Sequence, residues 1–200
     1  MREMNPPERI QTSRLTLRRL AMEDAEAIFA AYAQDTQVTR FLTWRPHQRI
    51  EETRAFIQMK IEAWDSGTEF TWAILRKDGE LIGGIALRRQ EFKMDFGYVI
   101  ERARWGNGFA AEALRPLVDW ALAQPEVFRA WAVCDAENLA SARVIEKVGM
   151  TREGVLRRWV LHPQAGDTPR DCICYSIVKT TDGQPATPPY SEPAARPPQG

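Results

Sequence analysis

Two glycines a single residue apart, Gly106 and Gly108, stand where an alternating run, Phe96-Gly97-Tyr98-Val99-Ile100, gives way to an alanine-rich helical pattern. A strand hands the chain to a glycine loop, and the loop opens a helix. Glycine lacks Cβ, so it permits positive φ and lets an anion approach the main-chain amides closely. The first N–H groups of the following helix lack internal partners and lie at the positive end of its dipole, which suits phosphate. Asn138 and Ser141 form a second pair, three residues apart and so on one helical face. Asn138 is also a good helix N-cap. Glu101, Glu91 and Asp171 fall near strand ends and are the carboxylates available for taking a proton. Cys172 and Cys174 could suggest metal, but neither His47 nor His162 stands at a zinc-ligand spacing from them, so no metal site is expected. With Ser176 they alternate along one strand face, where small side chains pack easily.

The glycine loop and the segment from Asn138 to Met150 together resemble the GNAT superfamily of N-acetyltransferases, and within it the subgroup that acetylates N-terminal amines of ribosomal proteins (the RimJ/RimL type). The resemblance implies acetyl-CoA as cosubstrate, with no metal, and a diphosphate cradled by Trp105, Gly106, Asn107, Gly108, Phe109 and Ala110. Gly108 takes the central glycine of the family's loop pattern and Ala110 the final small residue, while Trp105 stands where Gln or Arg is usual. The same resemblance places the strand residues Tyr98, Val99 and Ile100 along the pantetheine arm and has Asn138 hydrogen-bond its amide. Lys147, with Arg143, comes near the 3′-phosphate. The family's tyrosine seven residues after the Asn is replaced by Ile145, so Ser141 is nominated as proton donor or thiol-binding group. A main-chain N–H near Val99 or Ile100 is expected to stabilise the oxyanion. Glu101 is named as base, with Glu91 and Asp171 unranked beside it. Glu112 matches a recurrent acidic position and reads as structural. Phe41 and Trp44 are either satellite core or part of an acceptor-groove wall. The acceptor is a protein N-terminal amine or a small-molecule amine; the alternative is a non-catalytic CoA-binding sensor or scaffold. A homodimer through the last strands is a further implication. A dinucleotide-binding domain fits poorly, because no Gly-x-Gly-x-x-Gly run follows a βαβ unit.

The elements that must hold these groups follow from periodicity. At 200 residues, 44% hydrophobic, the chain has room for one domain with a sizeable core. Lys plus Arg and Asp plus Glu each total 27, so overall charge argues for neither a nucleic-acid nor a membrane partner. Three cysteines and no apolar run near Met1 long enough for a signal peptide or span make the cytoplasm the expected compartment. Residues 1–11, polar with Pro6-Pro7, read as a flexible leader, 12–181 as the acetyltransferase domain, and 182–200 as a disordered proline-rich tail. Period-two runs predict strands at 14–20, 69–76, 81–87, 94–100, 128–134, 151–161 and 170–179. Helical spacing predicts helices at 22–33, 48–64, 109–121 and 138–148, with Pro116 bending or interrupting the third. A polar and aromatic connection is expected at 35–46 and a charged one at 88–93. This order gives an α/β (α+β) fold, a mixed and mostly antiparallel sheet of about seven strands flanked by helices. The resemblance adds a splay between the fourth and fifth strands.

Overall fold

The computed structural model describes residues 4–180, so the proline-rich tail lies outside the described residues. An open eight-stranded sheet runs in the order β1-β2-β3-β4-β5-β6-β8-β7. Its strands are β1 (Arg9–Gln11), β2 (Leu15–Arg19), β3 (Glu69–Arg76), β4 (Leu81–Gln90), β5 (Lys93–Ile100), β6 (Arg129–Asp135), β7 (Thr151–Val160) and β8 (Arg170–Val178). Every pairing is antiparallel except that of β5 with β6.

Each face of the sheet has its own apolar partner, as alternation along the strands requires. On one side Trp72, Ile85 and Phe96 meet α4 (Phe109–Ala123) and α5 (Leu139–Lys147) through Leu114, Leu117, Val118 and Ile145. On the other, Ala73 and Leu81 meet α1 (Ala25–Ile28) and α3 (Ile50–Asp65) through Ile28 and Ile57. The helical stretch 22–33 is one continuous run that tightens into a 3₁₀ turn at Met22–Asp24 and widens into a π turn at Phe29–Ala33. Pro116 does not interrupt α4, whose stripe Ala113, Leu114, Leu117, Val118 and Ala121 is buried on both sides of it.

Several sequence expectations need correction. The leader is not free: Arg9–Gln11 pairs with β2, Met4 is buried, and the Trp72 indole donates to the Pro7 carbonyl at 2.9 Å. Hence the sheet has eight strands, not seven. The connection at 88–93 is a tight hairpin, since Arg88 lies opposite Asp95 and donates to its carboxylate at 2.7 Å, letting charged residues continue both strands. Within 35–46 sits a short helix, α2 (Thr36–Thr39), because the Asp35 carboxylate accepts from the amides of Gln37 and Val38.

The feature that positions the site is a seam that closes at one end only. β5 and β6 pair at Lys93/Arg129, Met94/Ala130 and Asp95/Trp131 and then part, leaving Phe96 to Ile100 without a neighbour on that side. This is the splay that the resemblance implied, and it falls between β5 and β6 once β1 is counted.

Candidate active site

Main-chain direction along the parted half of β5 decides which amides face the gap. The Glu101 amide donates to the Ile82 carbonyl, and a Cβ added at Gly83 would come within 2.2 Å of the Val99 carbonyl, so odd-numbered positions turn toward β4. Strand alternation then turns Tyr98 and Ile100 toward β6. Of the two candidates for an oxyanion donor, the geometry favours Ile100, and the Val99 amide belongs to the β4 ladder. The Ile100 carbonyl is taken by the Trp105 indole N–H at 2.8 Å. Trp105 is thereby tied to the end of β5, and its ring is half exposed.

Beyond Trp105 the chain makes two left-handed glycines, each with φ of 78°. No atom lies within 4 Å of a Cβ built at Gly106, and at Gly108 only the Arg14 guanidinium does. Asn107 spends its side-chain amide on the carbonyls of Arg104 and Trp105, which holds the loop's shape. Among the described residues the main-chain amides of 106–111 have no acceptor, as expected for a left-handed glycine loop feeding a helix start. The donor set fits a diphosphate.

A group that sequence reading missed braces this loop. Arg14, from the turn between β1 and β2, donates to the Asn107 carbonyl at 3.0 Å and stacks 4.5 Å over the Phe109 ring. Its Nε also donates to Glu112, which accepts in addition from Thr12 Oγ1, Ser13 Oγ and the Arg14 amide. Burial works against the charge on Glu112, but these donors outweigh it and hold the carboxyl down to about 2. The structural reading of Glu112 is thus accounted for. Only its spacing from the glycines hinted at this; its partners lie about a hundred residues away in sequence.

On the far side of the gap, Asn138 caps α5 by accepting the Ser141 amide at 3.1 Å. The Ser141 hydroxyl lies 2.7 Å from the Tyr98 phenol, which also reaches the Ser141 carbonyl at 3.1 Å. Burial pushes the Tyr98 phenol well above its ordinary pKa. Strand β5 and helix α5 are therefore joined by two hydroxyls across the parted seam.

The Acetyltransferase (GNAT) domain family matches residues 14–151, which span the gap, the loop and both helices. This chain belongs to that family. It is 36% identical over 174 residues to the uncharacterized N-acetyltransferase YoaA of Bacillus subtilis, covering 85% of this chain and 96% of the relative. A GNAT-family acetyltransferase from Bacillus anthracis superposes with a TM-score of 0.74 at 26% identity, over 85% of this chain and 98% of the other. RimL, a ribosomal L7/L12 alpha-N-protein acetyltransferase solved in complex with coenzyme A, gives 0.76 at 21% identity, over 86% and 98%. The chain is thus an acyltransferase of the N-acetyltransferase kind, with acetyl-CoA as donor and an amine as acceptor.

Within the GNAT frame the remaining sequence candidates separate. Lys147 is exposed at the end of α5 and lines, with Arg115, Thr12 and Glu112, a depression of about 390 Å³ along α4. Glu101 accepts from Arg104 at 2.9 Å, and Arg104 also binds Glu80 beside the β3–β4 turn, so the carboxylate named as base is held in an ion-pair cluster. Asp171 accepts the Arg158 amide at 2.9 Å, and Glu91 sits at the hairpin on the zipped end of the seam. Glu91 thus lies away from the open end, and Glu101 and Asp171 each already have a hydrogen-bond partner. Phe41 packs edge-on to His162, and Trp44 lies 4.9 Å from the His47 ring and packs against the core cluster of Ile28 and Ile57. His162 itself lies 3.6 Å from Asp135, the buried residue that ends β6. Among the described residues no cluster of three or more His, Cys, Asp or Glu is placed to hold a metal ion, and no helix is long and apolar enough to cross a membrane.

Proposed function

We propose that this GNAT acetyltransferase acts on the N-terminal amine of a protein or peptide, with small-molecule amines as the competing acceptor class. The observation that carries the donor half is the parted end of β5 and β6 with the unengaged amides of 106–111 at its mouth. Those amides would hold the diphosphate, Lys147 and Arg115 the nucleotide end, and Asn138 the pantetheine region. Acetyl-CoA supplies an activated acetyl group as a thioester. The chain supplies the Ile100 N–H for the charge that develops on the carbonyl oxygen, and the Ser141 hydroxyl as a proton source for sulfur. Glu101 and Asp171 are engaged in hydrogen bonds and Glu91 lies at the zipped end, so holding a neutral amine in line is the chain's main contribution on the acceptor side. RimL, whose fold this chain shares, acetylates a protein N-terminus, which supports the peptide reading.

The three cysteines are buried free thiols, which supports a reducing, cytoplasmic setting. Exposed Val155 and Trp159 on the edge strand β7, with Leu161 just beyond it, support pairing with a second copy there. The test has two stages. Coenzyme A binding is measured by calorimetry, and failure to bind ends the reading. Thiol release from acetyl-CoA is then followed against peptides with free N-termini and a panel of small amines. Binding with no transfer to any of them would support the non-catalytic scaffold instead.

A further inference from the structure

We propose that Tyr98 is a positioning residue for Ser141, supplying from strand β5 the phenol that this chain lacks on helix α5, where Ile145 stands. The inference rests on the acetyl-transfer reading above. Ser141 is fixed from below, because Asn138 takes its amide and so sets the first turn of α5. A serine hydroxyl still rotates, and it carries one proton. Tyr98 restricts that freedom. Its single proton has two acceptors in reach, Ser141 Oγ at 2.7 Å and the Ser141 carbonyl at 3.1 Å, and when it goes to the nearer Oγ one lone pair there is occupied and the serine proton must point elsewhere. Burial keeps the phenol protonated and hence a donor throughout the neutral range. The contact crosses the seam at the place where β5 and β6 have parted, between residues 43 apart in sequence.

In the step this serves, the amine lone pair forms the N–C bond, and the C–S bond then breaks with its electron pair leaving on sulfur. Sulfur takes the Ser141 proton, Ser141 recovers one from Tyr98, and Tyr98 recovers one from water. The surplus proton of the new amide nitrogen goes to water, so the protons balance.

The contact can be tested without any acceptor. A hydroxyl proton aimed at sulfur stabilises the thiolate of bound coenzyme A, so the bound thiol should titrate lower than the free one, by ultraviolet absorbance of the thiolate. In Tyr98→Phe this pKa should rise toward the free value by about one unit, a tenfold change in thiolate fraction. Ser141→Ala should do the same, and the double variant should add nothing further, as expected for groups acting as a unit. Turnover, with an acceptor found in the panel above, should show kcat down about tenfold with little change in KM for acetyl-CoA. An unchanged thiol pKa in Tyr98→Phe, or effects that add in the double variant, overturns the proposal while leaving the transferase reading standing. Should Tyr98→Phe fail to fold, Ser141→Ala decides alone: a bound-thiol pKa equal to that of the wild type sinks the pair. Absence of coenzyme A binding to the wild type sinks both readings.

Discussion

The two ends of the β5–β6 seam are made from one strand and obey opposite rules. From Lys93 to Asp95 the strand is zipped to β6, and Met94 there has no exposure at all. From Phe96 to Ile100 the same strand keeps β4 on one side and gives up β6 on the other, so Tyr98 and Ile100 turn main-chain groups toward a gap. Unpaired strand groups cost free energy unless something else meets them. At this end side chains partly do so: Trp105 caps the Ile100 carbonyl, while Tyr98, on the strand itself, bridges to Ser141 and Arg14 braces the loop that follows. A binding site here is made by withholding pairing, while the zipped end supplies the stability that this requires.

The comparison breaks most sharply if the two ends do not separate under mutation. Met94→Ala at the zipped end should lose about 2–5 kcal/mol of stability, as for other fully buried large-to-small changes, while the folded fraction keeps its coenzyme A affinity. Urea unfolding and calorimetry on the same sample check it. At the open end the reverse is expected. Gly106→Ala with Gly108→Ala places Cβ atoms on residues at φ 78°, at a strain of about 1–2 kcal/mol each, which the loop relieves by turning its amides. Coenzyme A affinity should fall on the order of 100-fold, about 2.7 kcal/mol, with a smaller loss of stability. Equal losses in both readouts for both variants would show that the seam behaves as one unit.

Glu112 sharpens the comparison through pH. Its folded-state pKa, about 2, lies below the ordinary 4.5, so its contribution is fully present above about 4.5 and is lost as pH falls through about 2. Its side chain is 16% exposed, so the contribution is on the order of 2 kcal/mol. Glu112→Gln should flatten the acid limb of stability in that window and loosen Thr12 to Arg14 from the glycine loop, weakening coenzyme A binding a few-fold. A wild-type acid limb that survives in Glu112→Gln would mean the four hydrogen bonds do not govern the brace.

How much of this the chain declared in advance follows the same division. Period-two runs and the Ala113–Leu117–Ala121 stripe betray their elements because burial repeats locally. The glycine loop was legible for the same reason, since strand, glycines and helix are consecutive. Arg9–Gln11 was not, because three residues with one half-buried side chain carry no period. Nor was the hairpin at Glu91, where charged residues pair across strands and hide the alternation. At the site, residue types were visible and contacts were not: Arg14 to Asn107, Tyr98 to Ser141 and His162 to Leu42 join segments 93, 43 and 120 residues apart. Glu101 shows the same limit, because a carboxylate at a strand end looks the same in sequence whether it is free or held by an arginine.

The smallest expected effect separates two accounts of Trp105. If the tryptophan matters as a loop side chain facing the ligand, Trp105→Phe keeps most of the ring and binding barely changes. If it matters as the cap on Ile100, the same change removes one hydrogen bond and leaves a strand carbonyl at the open end to water, a loss of about 1 kcal/mol. The carbonyl is near solvent, so stability should fall by no more than that. Amide exchange should nonetheless quicken at Val99 and Glu101, because the end of β5 then frays from β4, while Lys93 to Asp95 stay protected. Faster exchange confined to the open end supports the cap, and uniform protection along β5 would return Trp105 to the loop.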